Sequence, residues 1–336
     1  MSLSKNKLLM GWGEPRRASA KQLPLDDPAF YFPDFFLTIP QPWIQYSQWS
    51  EISKVELYHL LHPVMPPPPC NWDFRYLEKF KQAFDELQEL LQVGHLQKGV
   101  PYLFSDSSDL MVEERLHFCL KRALEQTTGY LYGHWDVSSG ILGITPELLF
   151  SHAQHQPQIV QTMALAGTCP TSCCQEAFFE DEKERDEHQI VVQGICQSLQ
   201  ALGEVKIGKI QCMQLPRLIH LMTPIEIKLS HSFDFHVLVN CLHPTPALGA
   251  FPILEGNVWL KNFQKHTPRH YYGSPIGFHY PPSGLSKCFV AIRNVQWDTL
   301  GMHIGVGCGV VKQSIFNQEW QEVQSKLASI QEQLGL

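Results

Sequence analysis

Charge is sparse in this sequence, and positive charge sparser still. Of its 336 residues 18% are charged, and 33 acids outweigh 26 bases for a net charge of −7. No basic patch offsets that balance, which argues against a general nucleic-acid or acidic-membrane role. No apolar run is long enough to span a bilayer, and residues 1–10 lack the continuous apolar core of a secretory signal. The ten cysteines lack the pair-and-pair spacing of a zinc site: Cys169, Cys173 and Cys174 cluster and the others are scattered. They read as the reduced thiols of a cytoplasmic protein. Also missing are a Gly-x-Ser-x-Gly nucleophile elbow and, despite sixteen histidines, a His-Glu-x-x-His pair.

What is present is an ordinary globular composition, 44% hydrophobic, long enough for one large domain or two fused halves. Residues 11–15 look turn-rich, residues 30–37 read as a strand, and the proline block at residues 66–69 reads as a connector. Phe80, Phe84, Leu87 and Leu91 share one helical face, with Gly94 as the stop. A second helix is expected over residues 110–126, and a long acidic helix over residues 176–202. Strands are expected near Tyr130, Leu142, Ile159, Ile207, Leu218 and Ile225, and a helix near residues 235–242. Residues 288–295 and 303–311 suggest a hairpin. A closing helix over residues 318–334 carries Trp320, Val323, Leu327, Ile330 and Leu334 on its apolar face. Strands come in groups with helices between them, which favours a mixed, largely antiparallel α+β architecture over a doubly wound sheet.

Two helices share one chemical feature. Glu184 and Glu187 are three apart on the acidic helix, and Glu319 and Glu322 are three apart on the last one, so each pair presents two carboxylates on one face. Four facing carboxylates repel unless a cation lies between them, and Mg²⁺ takes such oxygen ligands. The first pair reads equally well as part of a solvated acidic face, because residues 176–188 hold seven acids and two bases. The run Gly305-Val-Gly-Cys-Gly-Val310 lets backbone approach an anion, or simply makes room for packing. It matches neither the dinucleotide fingerprint nor the phosphate loop.

Six segments, in order, resemble the chorismate-utilising enzymes, the family of anthranilate, aminodeoxychorismate, isochorismate and salicylate synthases. They are Gly143-Ile-Thr-Pro-Glu-Leu-Leu-Phe150, Ala164-Leu-Ala-Gly-Thr168, Lys183-Glu-Arg-Asp-Glu-His188, Leu242-His-Pro-Thr-Pro-Ala247, Arg269-His-Tyr-Tyr-Gly273, and the run from Val290-Ala-Ile-Arg293 to Glu319-Trp-Gln-Glu322 and Lys326. The likeness covers roughly residues 75–330. It implies one α+β domain, two largely antiparallel β-sheets packed as a sandwich with helices outside. Residues 71–336 would be the chorismate-binding catalytic region and residues 1–70 the N-terminal part of the fold.

The resemblance also implies roles. Glu184, Glu187, Glu319 and Glu322 match the two pairs that bind Mg²⁺, which would hold the ring carboxylate of chorismate. Arg293 and Tyr272 match residues on the enolpyruvyl carboxylate, and Gly307 and Gly309 match glycines whose backbone faces the substrate. Gly167, Thr168, His220 and Lys326 match pocket positions, with His220 expected in catalysis. Lys98 falls where isochorismate and salicylate synthases place the lysine that activates water, and ammonia-using relatives have glutamine there. Glu147 matches the acid that protonates the departing hydroxyl.

Ala166, where aminodeoxychorismate synthases carry lysine, and the Leu-His-Pro-Thr-Pro form select the isochorismate synthase branch. No glutaminase subunit is expected. The rivals are a salicylate synthase and a non-catalytic chorismate-binding protein. Three features depart from the family pattern: Ser314-Ile-Phe-Asn317 replaces Ser-Asp-Pro-Glu, the loop at residues 169–175 is short and lacks an arginine, and Pro101 follows Lys98 closely.

Overall fold

The computed structural model describes residues 1–19, 27–63, 65–74 and 77–336. Strands β1 (Lys7–Ala18), β2 (Ala29–Tyr31) and β3 (Trp43–Ser53) lead into helix α1 (Lys54–Leu60). A short β4 (Asp73–Phe74) precedes α2 (Leu77–Gln92), β5 (Lys98–Gly99), β6 (Tyr102–Ser107) and α3 (Glu113–Glu125). Next come β7 (Tyr130–Trp135), β8 (Gly140–Thr145), β9 (Leu148–Ala153) and β10 (Ile159–Pro170). Helices α4 (Gln175–Glu180) and α5 (Glu182–Leu199) are followed by β11 (Gly203–Ile207), β12 (Gln211–Gln214), β13 (Leu218–Leu229) and α6 (Phe235–Leu242). The remainder comprises β14 (Ala250–Phe251), α7 (Ile253–Gln264), β15 (Pro275–Tyr280), β16 (Leu285–Val290), β17 (Asn294–Asp298), β18 (Gly301–Gly307) and α8 (Phe316–Leu334).

Ten strands form one sheet, in the order β1-β3-β2-β15-β16-β9-β10-β13-β11 with β12 also on β13. Six form a second, β4-β6-β18-β17-β8-β7, and β14 pairs with β5. Pairing is antiparallel in every strand-to-strand ladder among the described residues. The sheets pack face to face. Phe289 of the large sheet stacks on Tyr130 of the small one at 4.8 Å, and Ile276 and Phe278 share a buried cluster with Tyr132 and Ile141. Helix α5 lies on β10 and β13, α2 on β6, and α8 on β18 and α3. This is the α+β sandwich the sequence implied. Among the described residues no helix is long and apolar enough to cross a membrane.

Local sequence explains where α2 stops. Helix α2 buries Phe80, Phe84, Leu87 and Leu91, and the chain leaves it through Gly94 at φ +77°, a backbone state glycine adopts without steric cost. The turn-rich stretch 11–15 is not a turn. It lies inside β1, where the register slips between Trp12 and Pro15 and Gly13 adopts φ +86°, so Gly13 serves a bulge. The strand expected at residues 30–37 is only Ala29–Tyr31, and Leu37 stands at φ +58° in the following turn. The strands expected near Leu218 and Ile225 are one continuous β13. Strand β3 and helix α7 had no counterpart in the sequence reading.

Two differences shape the site. The acidic helix is two helices, broken at Asp181, whose carboxylate accepts the Glu184 amide at 3.0 Å and caps α5. The strand expected over 288–295 is also two. Strand β16 belongs to the large sheet and β17 to the small one, and the chain crosses between them at residues 291–293, with Arg293 at φ +57°. The hairpin partner of β17 is β18, which ends at Gly307.

Asp181→Ala should cost about 1 kcal/mol in urea unfolding through loss of this cap, and Asp181→Asn much less. Equal losses in both variants would show that the carboxylate's charge, not its cap, is what matters.

Candidate active site

A cleft of about 630 Å³ opens between the sheets, beside the crossing at residues 291–293. Ten of the expected residues line it. Glu147 follows β8, Gly167 and Thr168 come from β10, Glu187 from α5 and His220 from β13. Tyr272 and Arg293 form another wall, and Gly307 at the end of β18, Gly309 just beyond it and Lys326 of α8 close it. Glu184, Glu319 and Glu322 line an adjoining, more open cleft that shares Thr168 with the first.

The lysine expected as the base is inside the protein. Lys98 is fully buried in β5, its Nζ donating to the Pro246 carbonyl at 2.7 Å and standing 3.4 Å from Glu187 Oε1. Burial lowers its pKa against the raising pull of Glu187. Gly309 faces it: a Cβ there would collide with Glu187 Oε1 and stand 2.7 Å from Lys98 Nζ. Pro101 does not disturb this arrangement, because β5 ends at Gly99 and β6 begins at Tyr102. Glu147 is buried as well, with the Thr245 hydroxyl 3.5 Å from its Oε1. Burial pushes its carboxyl up to about 7, although Lys98 pulls the other way. One short segment, Thr245-Pro246, thus touches both groups.

Arg293 is buried, and its Nη2 donates to His220 Nε2 at 3.1 Å. His220 Nδ1 lies 3.2 Å from the Gly167 carbonyl and 3.0 Å from the Thr168 hydroxyl. Burial and the Arg293 charge lower this imidazole to about 3. His220 is therefore a neutral ring whose Nε2 lone pair is engaged by Arg293, an arrangement that positions the guanidinium rather than moves a proton. Arg293 Nη1 has no hydrogen-bond partner among the described residues, which leaves one edge of the fork for a carboxylate. Lys326 bridges the Gly307 carbonyl at 2.9 Å and Glu322 at 2.6 Å.

The carboxylate pairs meet across α5 and α8. Burial and then Glu187 raise Glu184 to about 8, and burial and then Glu322 raise Glu319 to about 7. Burial opposes the charge on Glu322 too, yet Lys326 and Lys183 hold its pKa below the ordinary value. Glu184 Oε2 accepts the Thr168 amide at 2.6 Å. Glu319 Oε2 has no hydrogen-bond partner among the described residues. Four crowded carboxylates with an unsatisfied oxygen fit the donor chemistry of Mg²⁺. Among the described residues no three His, Cys, Asp or Glu side chains are grouped as ligands of one ion; the Lys183 ammonium stands among them instead.

Lys183 opens the Lys183–His188 segment and carries no role in the sequence reading, although a lysine one and four residues before two paired glutamates is a signal in itself. Arg269 was missed in the same way. It is buried, among the described residues with no carboxylate against it, and donates from Nε to the Tyr272 carbonyl and from Nη2 to the Leu248 carbonyl, both at 3.0 Å. Its guanidinium lies 3.5 Å from the Phe35 ring centre and 4.4 Å from that of Tyr102. It ties together two residues of the cleft wall. At the start of α8, in the Ser314–Asn317 stretch, Ile315 offers no side-chain cap, and Gln88 of α2 holds the Val311 and Ser314 carbonyls.

The cleft presents a half-free guanidinium and a buried carboxyl, with the Lys98 amine behind its Glu187 wall. Its scaffold is shared with the menaquinone-specific isochorismate synthase MenF of Escherichia coli (TM-score 0.78, 19% identity, 98% of this chain and 86% of that one). It is shared equally with anthranilate synthase component I of Streptococcus pneumoniae (TM-score 0.79, 15% identity, 98% and 93%). The model of the chorismate binding enzyme family matches residues 71–335, and the chain belongs to that family. Over 203 residues it is 30% identical to the "Salicylate biosynthesis isochorismate synthase" of Pseudomonas aeruginosa, covering 58% of this chain and 42% of that protein. The chain spans about half the length of the curated relatives it matches.

Glu147 generates a test in stability. With its carboxyl at about 7 in the folded chain and an ordinary value of 4.5 when unfolded, the folded state binds the extra proton between those limits. The stability tied to this proton is complete below about pH 4.5 and is lost as pH rises through about 7. Glu147→Gln should therefore gain on the parent chain as pH rises from 5 to about 8, measured by denaturant unfolding at each pH. A pH-independent difference would place the Glu147 carboxyl near its ordinary value.

Proposed function

We propose that this chain converts chorismate to isochorismate with the help of Mg²⁺. One observation carries the reading: a buried lysine on the Pro246 carbonyl and a buried glutamate beside the Thr245 hydroxyl meet at one short segment, each driven toward its neutral form by burial. A neutral amine accepts a proton and a neutral carboxyl donates one, so Lys98 suits the base and Glu147 the acid. Water deprotonated by Lys98 adds at the ring carbon beside the one bearing the carboxylate. The ring hydroxyl leaves from the far side as Glu147 protonates it. Atoms balance, because one water enters and one leaves.

Arg293, fixed by His220, offers its free edge to the enolpyruvyl carboxylate, with Tyr272 beside it. Glu184, Glu187, Glu319 and Glu322 are the residues that would hold Mg²⁺, whose positive charge would bind the ring carboxylate. The names of the relatives support the water-using branch, and Ala166 stands where the aminating branch is expected to carry lysine. A place in the cytoplasm and independence of a glutaminase subunit belong to the same proposal.

Incubating the pure protein with chorismate and Mg²⁺ and separating the products tests it directly. Isochorismate is the expected product, with no aminated compound when ammonium is supplied. Pyruvate and salicylate would instead identify a salicylate synthase, and unchanged chorismate a binding protein. Lys98→Ala and Glu147→Gln should each lose about 10²–10⁴-fold in kcat with the circular dichroism spectrum retained. Arg293→Lys should raise KM far more than it lowers kcat, since an ammonium cannot reproduce the paired fork.

A further inference from the structure

Lys183 is the cation among the four glutamates. Its Nζ stands 2.9 Å from Glu184 Oε1, 2.9 Å from Glu319 Oε1 and 3.7 Å from Glu187 Oε2. The two neighbouring ammonium groups are anchored to main chain, Lys98 on the Pro246 carbonyl and Lys326 on that of Gly307. Among the described residues the recorded partners of Lys183 are carboxylates alone. Its side chain keeps 19% of its exposure and lines the open cleft of about 1170 Å³ beside the acids. A long, flexible stem with an exit to water, held by nothing but the acids, makes Lys183 a removable charge.

We infer that Lys183 is a resident counter-cation that holds the two carboxylate pairs together until a divalent ion arrives, and then swings into the open cleft. This rests on the reading of those glutamates as the Mg²⁺ site. An ammonium and a dication drawing on the same oxygens repel at short range, so they cannot both remain. Two consequences of opposite sign follow. The lysine stabilises the metal-free chain by neutralising buried carboxylates that otherwise face one another across α5 and α8. It also weakens metal binding, because each ion must first displace it. A residue with only a structural part would lower stability and metal affinity together when replaced.

The experiment is calorimetric titration of the full chain with MgCl₂ alone, near pH 9 so that the carboxylates are ionised, for the parent, Lys183→Met and Lys183→Arg. Lys183→Met should bind Mg²⁺ about tenfold or more tighter than the parent, with a lower Tm when metal-free and a Tm restored at saturating Mg²⁺. Lys183→Arg, whose fork grips carboxylates more firmly, should bind Mg²⁺ more weakly than the parent. Should Lys183→Met fail to fold without metal, the arginine variant decides alone. Equal or weaker Mg²⁺ binding by a folded Lys183→Met, or parent-like binding by Lys183→Arg, overturns the inference and leaves the metal site standing. No Mg²⁺ binding by the parent overturns the metal site and the inference with it.

Discussion

The confinement of like charges is the constraint on which this site depends. Glu184, Glu187, Glu319 and Glu322 are brought together by α5 and α8, and neither helix could approach the other this closely if all four were ionised and unpartnered. Lysines 98, 183 and 326 supply the compensation, each touching at least one of these acids. Such groups are costly to bury even when paired, so the fold must hold them from outside. It does so with apolar residues that continue the faces of the acids along both helices: Val191, Ile195 and Leu199 on one, and Val323, Leu327, Ile330 and Leu334 on the other.

Backbone carbonyls set the geometry of the positive groups. Pro246 O fixes Lys98, Gly307 O fixes Lys326, and the carbonyls of Tyr272 and Leu248 fix Arg269. A neutral carbonyl orients a cation without cancelling its charge, which leaves Lys98 responsive to burial and Lys326 available to Glu322. Glycine enters the design where room is scarcest: Gly309 has no side chain because Glu187 and Lys98 occupy that space.

Regular periodicity made α2 and α8 legible from sequence, since the residues that bury them repeat within each helix. The carboxylate pairs were legible as spacing, and the six segments supplied nine of the ten expected residues that line one cleft, His220 being the tenth. What was hidden depends on partners distant in the chain. The break at Asp181 is a cap that an acidic run disguises, because the neighbouring acids have the same propensity. The division of residues 288–295 between two sheets cannot be seen in an apolar stretch that suits either one. That His220 holds Arg293 follows from packing between elements and has no local signature, and the spacing of Lys183 from Glu184 and Glu187 gives no sign that Glu319 of α8 meets it too.

The crossing at residues 291–293 has a mechanical meaning. Strand β16 is stitched into the large sheet and β17 into the small one, with three residues between them, and Arg293 is the last of the three. Its guanidinium behaves like a pointer mounted on the joint of two rigid plates, with His220 of the large sheet steadying the tip. A slide of one plate across the other is reported at the pointer while the hydrogen-bonded ladders stay intact. Substitutions in the apolar layer between the sheets would thereby change the reach of this one arginine, without exchanging any group in the cleft itself.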